Sequence, residues 1–517
     1  MINKKSTLIN VSAAIVTFIV QLIIGFWLSP FLVSKLGEEA YGFINLANNF
    51  VSYASLVTVA LNSMSSRYIS VEYNSKRHEE AKKYFCSVFI INCILFGLIF
   101  IVSLILISKI QSIVNISDGM VGQVKLTFLF SFINMGISMI GTAYTAAAFT
   151  TNKMHYSSFV QLISNILKVI IVFAMYMLLP AKVYFLSFAT LLAGIITLVC
   201  NYSITKKLLK GFNISLKYFE LKKIIVLVKS GFWMLISNIS NMLLNGFDLL
   251  LSNWFISANI MGRLSLAKQI PYAISSALGI FSNIFSSALT KNFATNGEKN
   301  LVEETKDQLK LLTLFFSVPF AGIIVFGREF LGLWLNSSTY TPTELDHIYA
   351  IMVITLIDVI VSTYMYSIHS LFIAVDKVKN YSKVLFISSI LSILCTVILL
   401  KTTDLGVYAI AATSTMILGV THAIVVPAMI AKILKKKIYV FWLSELKSWG
   451  VLAVLSLIFF ITKGFLTFTT WSSFFINIAW ISIFGYIISA MILLNKSDKK
   501  TIQALLIRKF KKSSTRK

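Results

Sequence analysis

The most demanding chemistry in this sequence lies in residues 238–255, NISNMLLNGFDLLLSNWF, where Asp248 stands inside an otherwise apolar run. Asn241, Asn245, Asp248 and Ser252 follow one another at steps of four, three and four, which places them on one face of a helix. A carboxylate near the centre of a bilayer costs about 2.5–3.5 kcal/mol. We therefore expect Asp248 to meet water or a cation, either as an ion-coupling carboxylate or as a partner in a structural ion pair.

Four other charged residues are candidates for function: Lys168, Lys268 and Asp358 lie within predicted membrane segments, and Arg263 directly precedes one. The three cations are candidates for binding an anionic group such as a diphosphate. A salt bridge is the alternative for Lys168, with Asp358 as one candidate partner, and snorkelling to the membrane surface is the alternative for Arg263 and Lys268. Asp358, like Asp248, is a candidate for carrying Na⁺ or H⁺.

The segments that hold these residues are long and continuously apolar. The chain has 517 residues, of which 57% are hydrophobic and 13% charged, with a mean hydropathy of +0.82. Such a composition predicts an all-α polytopic membrane protein with about 14 transmembrane helices, and the absence of alternation excludes a β-barrel. The predicted spans are 8–33, 41–66, 84–108, 123–149, 157–179, 183–203, 229–256, 264–290, 310–335, 347–373, 382–400, 404–431, 448–466 and 472–494.

The net charge of +26 comes from lysines and arginines that are concentrated in alternate loops between the predicted spans. With the N-terminus in the cytoplasm, 36 of the 46 lysines and arginines fall on the inner side, so both termini are predicted to be cytoplasmic. This charge distribution argues against nucleic-acid binding. Two basic amphipathic stretches, 206–223 and 499–512, are predicted to be helices on the anionic inner leaflet, with a site for an acidic partner as the alternative.

A weak internal repeat divides the chain into halves. A shift of 220 residues places Gly42 on Gly262 and Leu46 on Leu266, and a shift of 224 aligns 152–167 with 376–391. We therefore predict two parallel six-helix lobes followed by two extra helices. The predicted organisation is 1–205 (N-terminal lobe), 206–228 (cytoplasmic basic linker), 229–432 (C-terminal lobe), 433–494 (helices 13 and 14) and 495–517 (basic cytoplasmic tail).

Polar stripes accompany the repeat. The second predicted helix carries polar or small residues at alternating steps of three and four, and the eighth carries a set at the same spacing, 220 residues later. These stripes, with that of the seventh helix, predict a water-filled cavity between the halves. Helix packing is the alternative; it explains the small residues well but Lys268 and Asp248 poorly, because a charge needs water or a partner. The candidate substrate-binding residues are Asn45, Asn48, Arg67, Lys168, Asn241, Asn245, Arg263 and Lys268. Surface anchoring is the alternative for Arg67.

Nothing in the sequence indicates catalysis or a bound cofactor. The four cysteines contain no C-x-x-C pair, and no G-x-x-x-x-G-K-[ST] motif is present. We therefore predict no catalytic residue, no metal site and no cofactor, and leave coupling to Na⁺ or H⁺ open.

Three stretches resemble a known superfamily. Residues 29–70, with a proline-ended helix, an LG-x-x-x-YG turn and an arginine near the end of the second helix, look like the first two helices of bacterial polysaccharide-repeat flippases. Residues 247–270 and 317–335 resemble their seventh to ninth helices. The superfamily is the multidrug/oligosaccharidyl-lipid/polysaccharide exporter group. Leu264 departs from the tyrosine that is frequent there, and no proline ends the eighth helix; both departures leave the substrate open.

The resemblance implies translocation, not catalysis. The expected function is the flipping of undecaprenyl-diphosphate-linked repeat units across the bacterial cytoplasmic membrane by alternating access, for O-antigen, capsule or teichoic-acid assembly. The expected partners are the lipid-linked glycan, membrane lipids and other polysaccharide assembly proteins. The alternatives are a lipid II flippase and a multidrug or cation antiporter of the same superfamily; a membrane glycan polymerase is disfavoured because no long outer loop is predicted.

Overall fold

The computed structural model describes residues 4–296, 301–335, 340–375 and 377–495, and this part of the chain contains helices and no strand. The helices are α1 (Lys4–Leu36), α2 (Glu38–Asn74), α3 (His78–Ser108), α4 (Ile110–Ile113), α5 (Val121–Thr150), α6 (Met154–Leu178), α7 (Phe185–Leu208), α8 (Leu221–Asn245), α9 (Phe247–Phe255), α10 (Ala258–Ala267), α11 (Gln269–Asn296), α12 (Leu301–Trp334), α13 (Pro342–Ala374), α14 (Val378–Thr402), α15 (Val407–Val420), α16 (Val426–Ile433), α17 (Tyr439–Lys463) and α18 (Trp471–Leu493).

The predicted all-α polytopic fold is confirmed. Thirteen helical segments within the described ranges are long and apolar enough to cross a membrane, against about fourteen predicted. The remaining predicted span, 264–290, is helical but does not belong to these thirteen. Its serines and its charged Lys268 dilute the apolar character of the segment.

The seventh and eighth predicted spans are both helical, and the seventh lies within a single candidate membrane span, Leu221–Phe255, but each is interrupted once. The first is divided at Gly246 into α8 and α9, and the second begins at Ala258 and is divided at Lys268 into α10 and α11. Pro271 explains the second break, because it lacks the N–H that would bond the carbonyl of Ala267 and its ring crowds that residue. Gly246 lowers helix stability by about 1 kcal/mol relative to alanine. This cost is compatible with a break at Gly246 but is too small to cause one by itself.

The prediction of an amphipathic surface helix over 206–223 was also wrong. The chain leaves α7 at Leu208, turns at Gly211 with a φ of +85°, and forms only a short 3₁₀ turn at Leu216–Tyr218 before α8. Leu209 and Phe212 are buried in a cluster with Phe85. This apolar anchoring holds the segment against its own unit. The predicted helix 499–512 and most of the tail 495–517 lie outside the described residues.

The helices form two compact units. Unit 1 contains Met1–Gln269 with Ser382–Ile417, and unit 2 contains Ile270–Tyr381 with Leu418–Lys517. In unit 1, α2 packs against α3, α5, α8 and α10. In unit 2, α12 packs against α13, α17 and α18, around a core that includes Phe326, Leu455 and Phe459. The six-plus-six division into lobes remains a prediction.

Two contacts in unit 1 depend on glycine. A Cβ on Gly231 of α8 would collide with the backbone carbonyl of Ala60 on α2. A Cβ on Gly42 of α2 would lie 3.0 Å from the backbone nitrogen of Gly262 on α10. Gly42 and Gly262 are the pair that the 220-residue shift aligns, so these positions face each other where α2 and α10 begin. Both contacts bring α2 close to the helices that carry the candidate site.

Candidate functional site

A buried ion pair lies where the two interrupted helices meet. Asp248 of α9 and Lys268 at the end of α10 form a salt bridge in unit 1, and their residues are only 5% and 3% exposed. Removing both charges from water is costly, so the pair requires close mutual compensation. The two residues that the sequence singled out separately therefore form one site.

The helix ends favour the sign of each charge. Asp248 is the second residue of α9, in the first turn, where the backbone N–H groups of a helix carry partial positive charge. Lys268 caps the C-terminus of α10, where carbonyl groups carry partial negative charge. The two breaks therefore place an acid and a base at termini that stabilise them, in addition to the ion pair itself.

Side chains of α2 hold the first break in place. The carbonyl of Gly246 accepts a hydrogen bond from Asn49 at 2.9 Å and another from the hydroxyl of Tyr53. The Tyr53 ring also stacks on Phe247, with centroids 5.4 Å apart. The break thus has its own donors two residues from Asp248, and it forms a fixed part of the site.

A second set of contacts holds the break after Lys268. Gln269 accepts a hydrogen bond from the Tyr41 hydroxyl at 2.9 Å and donates one to the carbonyl of Gly25 at 2.9 Å. Within α10, Arg263 forms a salt bridge with Glu38 at 2.8 Å. The α10–α11 junction is therefore tied to both α1 and α2.

The far end of α9 is held by the last residue of α4 and by the segment that follows it. Asn253 is fully buried and exchanges hydrogen bonds of 2.8–3.0 Å with Asn115, and the Trp254 indole donates to the carbonyl of Ile113 at 2.6 Å. Glu39 at the start of α2 accepts two hydrogen bonds from Ser117 of the same segment. Both ends of the nine-residue α9 are thus fixed within unit 1.

The amide candidates on α2 and α8 are more accessible than the ion pair. Asn48 and Asn241 are exposed, whereas Asn45 and Asn245 are partly buried. Asn45 donates to the carbonyl of Tyr41 in its own helix, at 3.1 Å. Asn241 and Asn245 therefore precede Asp248 closely along the chain, whereas Asn45 and Asn48 belong to α2.

The remaining cationic candidates lie apart from the pair. Lys168 is partly buried in the middle of α6, and Arg67 is exposed in the last third of α2. Neither forms an ion pair with any residue of its own unit that the structure describes. Their proposed contact with an anion remains a prediction.

Unit 2 holds the other carboxylate candidate in a separate network. Ser362 donates to Asp358 at 3.3 Å, one turn away on α13, and lies 3.1 Å from Nδ1 of His422. His422 belongs to a π-helical turn, Thr421–Val425, a geometry that is frequent at functional sites. Asp358 therefore belongs to a hydrogen-bonded chain, and its role in ion coupling remains a prediction.

Comparison with known proteins identifies the family. A family model described as "Polysaccharide biosynthesis protein" matches residues 4–285, more than half of the chain. The chain belongs to this family. It is therefore a multi-pass membrane protein of the polysaccharide biosynthesis family.

Relatives of this polysaccharide biosynthesis protein include one curated protein and several solved structures. The uncharacterized membrane protein EpsK of Bacillus subtilis (strain 168) is 24% identical over 434 residues, which cover 84% of this chain and 85% of EpsK. The lipid II flippase MurJ in its inward closed conformation is 19% identical with a TM-score of 0.67, covering 92% of this chain and 98% of MurJ. An inward-facing multidrug resistance MATE transporter is 15% identical with a TM-score of 0.66, covering 83% and 98%. The fold is thus that of transporters of the MOP superfamily.

Several residues of the site were missed in the sequence. Asn49 adjoins the predicted Asn48 but projects to the next face of α2, and Tyr53 follows it one turn later. Glu38 was not considered as the partner of Arg263. Pro271 could have indicated the break at Lys268, because a proline limits an internal helix three or four residues earlier. Among the described residues, no cluster of three or more His, Cys, Asp or Glu side chains could hold a metal ion.

Proposed function

We propose that this polysaccharide biosynthesis protein flips polyprenyl-diphosphate-linked oligosaccharide repeat units across the bacterial cytoplasmic membrane, with both termini in the cytoplasm. The family assignment and the transporter fold support this proposal. The observation that carries it is the buried Asp248–Lys268 pair at two helix breaks. Interrupted helices are where transporters of several folds bind charged substrates, because helix ends present partial charges inside the membrane.

In this proposal the ion pair is the resting state of the substrate site. The diphosphate of the lipid competes with Asp248 for Lys268, and Asp248 becomes available to a proton or cation when Lys268 turns to the phosphate. The exposed amides Asn48 and Asn241 supply hydrogen bonds to the sugar, while the polyprenyl tail stays in lipid. An anionic head group moving outward in an inside-negative cell releases about 2.3 kcal/mol per charge per 100 mV.

Mass spectrometry of the lipids that co-purify with the full-length protein tests the substrate. We expect a polyprenyl-diphosphate carrying an oligosaccharide of several sugars. The Lys268→Gln variant should retain less of this lipid, whereas Asp248→Asn, which frees the lysine, should retain more. Lys401→Gln, which removes an exposed lysine at the end of α14, serves as the matched control and should match the wild type.

The outcomes distinguish the alternatives. Co-purification of a lipid II type precursor would assign the protein to peptidoglycan assembly instead. Absence of any polyprenyl-linked glycan, together with saturable binding of a cationic drug, would replace the proposal with multidrug transport.

A further inference from the structure

A second buried carboxylate lies in unit 2, on α17, far along the chain from the Asp248–Lys268 pair. Glu445 is 3% exposed, and its Oε1 atom has no hydrogen-bond partner among the described residues. The hydroxyl of Tyr364 on α13, also 3% exposed, likewise has none. Both residues line the same cavity of about 30 Å³, so two unsatisfied buried polar groups face one small space.

The rest of the cavity lining is rich in hydroxyl groups from three helices of the same unit. Thr313 and Ser317 come from α12, Thr363 from α13 and Ser448 from α17. Apolar side chains such as Phe320 and Leu452 complete the wall. Because all of these helices belong to unit 2, the cavity is a property of that unit alone.

The hydroxyl protons of Thr363, Thr313 and Ser448 are already used, so these three groups offer oxygen lone pairs to the cavity. Thr363 donates to the carbonyl of Val359 at 2.9 Å. The Thr313 hydroxyl lies within hydrogen-bond distance of the Leu309 carbonyl and, at 2.7 Å, of the Ser448 hydroxyl, and Ser448 also contacts the carbonyl of Ser444. The two hydroxyl protons of this pair are therefore shared among three contacts. None of the three therefore has a proton left to neutralise Glu445.

A set of acceptors around a carboxylate selects a cation. A buried ionised carboxylate must be balanced by an opposite charge, and no lysine, arginine or histidine forms a salt bridge with Glu445 in the described part of the chain. One carboxylate balances one positive charge, which favours a monovalent ion over a divalent one. The space suits a small ion or about one to two waters, and hard cations prefer oxygen ligands.

We propose that Glu445, Tyr364, Thr313 and Ser448 form a binding site for one Na⁺ ion within unit 2. The carboxylate supplies the charge, and the hydroxyl oxygens supply the remaining ligands. Ion binding joins α12, α13 and α17, the three helices whose residues line the cavity. The site stands independently of which lipid the protein moves.

Direct binding of ²²Na⁺ to the purified full-length protein tests the proposal, together with the melting temperature in NaCl, KCl and choline chloride at equal ionic strength. We expect saturable ²²Na⁺ binding and a melting temperature that is specifically higher in NaCl. Glu445→Gln should weaken Na⁺ affinity about tenfold or more and abolish the Na⁺-specific rise. Glu303→Gln, which removes an exposed carboxylate from α12 of the same unit, should retain both.

A second variant keeps the proposal testable if Glu445→Gln does not fold. Thr313→Val preserves volume and the carboxylate but removes one oxygen ligand, so it should lower Na⁺ affinity several-fold. Wild-type Na⁺ affinity in Thr313→Val or Glu445→Gln would overturn the proposal. A melting temperature that follows pH but not Na⁺ would also overturn it, because Glu445 would then hold a proton instead of an ion.

Discussion

Asp248 and Glu445 are both nearly inaccessible carboxylates on membrane helices, yet their surroundings differ in one respect. Asp248 in unit 1 meets a buried lysine, whereas Glu445 in unit 2 meets a cavity lined by hydroxyl groups. In the first case the protein itself supplies the opposite charge; in the second no described residue forms a salt bridge with the carboxylate, and we propose that Na⁺ supplies the charge. Two acids of similar exposure should therefore respond differently to neutralisation: removing the charge of Asp248 should lower stability, whereas removing that of Glu445 should not.

The largest expected effect comes from breaking the pair in unit 1. Asp248→Asn leaves Lys268 buried without its partner charge, and Lys268→Met likewise leaves Asp248 buried and unpaired. Each should destabilise the protein by about 3–5 kcal/mol. Thermal unfolding in detergent measures the loss.

The double variant Asp248→Asn/Lys268→Met sharpens this prediction, because it removes both charges together. It should recover most of the lost stability, since a neutral pair of similar volume replaces the ion pair. Strictly additive losses would show that the two residues act independently and that the pair is not the stabilising unit.

A smaller effect is expected from filling the contact between α8 and α2. Gly231→Ala places a methyl group against the carbonyl of Ala60 and should cost about 1–3 kcal/mol by pushing the helices apart. Gly97→Ala on α3, where a Cβ meets nothing within 4 Å, is the matched control and should stabilise by about 0.5–1 kcal/mol. Equal melting temperatures for the two variants would contradict the close contact.

The Gly246 break should be sensitive to its donors. Tyr53→Phe removes one hydrogen bond to the Gly246 carbonyl while preserving the stacked ring, and should cost about 1 kcal/mol. Tyr68→Phe, which removes an exposed hydroxyl contact with Ser230, provides the control and should cost less. Differential scanning fluorimetry of both variants is sufficient, and a larger loss in Tyr68→Phe would refute the ranking.

The smallest and opposite effect is expected in unit 2. Without Na⁺, Glu445→Gln removes a charge that nothing in the described chain balances, so stability should change by less than about 1 kcal/mol or rise. The same carboxylate-to-amide change would thus be costly at Asp248 and harmless at Glu445. A loss at Glu445 in Na⁺-free buffer as large as that at Asp248 would remove the distinction between the two sites.

Much of this fold could be predicted because apolar length alone identifies spans, and the two charges of the pair were each noticed. Their pairing could not be predicted, since it requires two helix breaks and a turn between residues 248 and 268. Gly246 lies within a segment whose length and hydropathy predict a single span, and the donors that stabilise its carbonyl come from α2. Glu445 was overlooked because it lies beside Lys447 at the edge of a predicted span, where a charge normally faces water.

The proposal that this protein flips a lipid-linked glycan, with Lys268 as the diphosphate contact, is tested most directly in proteoliposomes. A labelled polyprenyl-diphosphate oligosaccharide is placed in both leaflets, and its accessibility to an added glycosidase is followed over time. We predict complete accessibility with the wild-type protein and with Lys401→Gln. With Lys268→Gln, the rate at which the lipid becomes accessible should fall by about tenfold or more. Accessibility that stops at one half for the wild type, as in protein-free liposomes, would contradict the account.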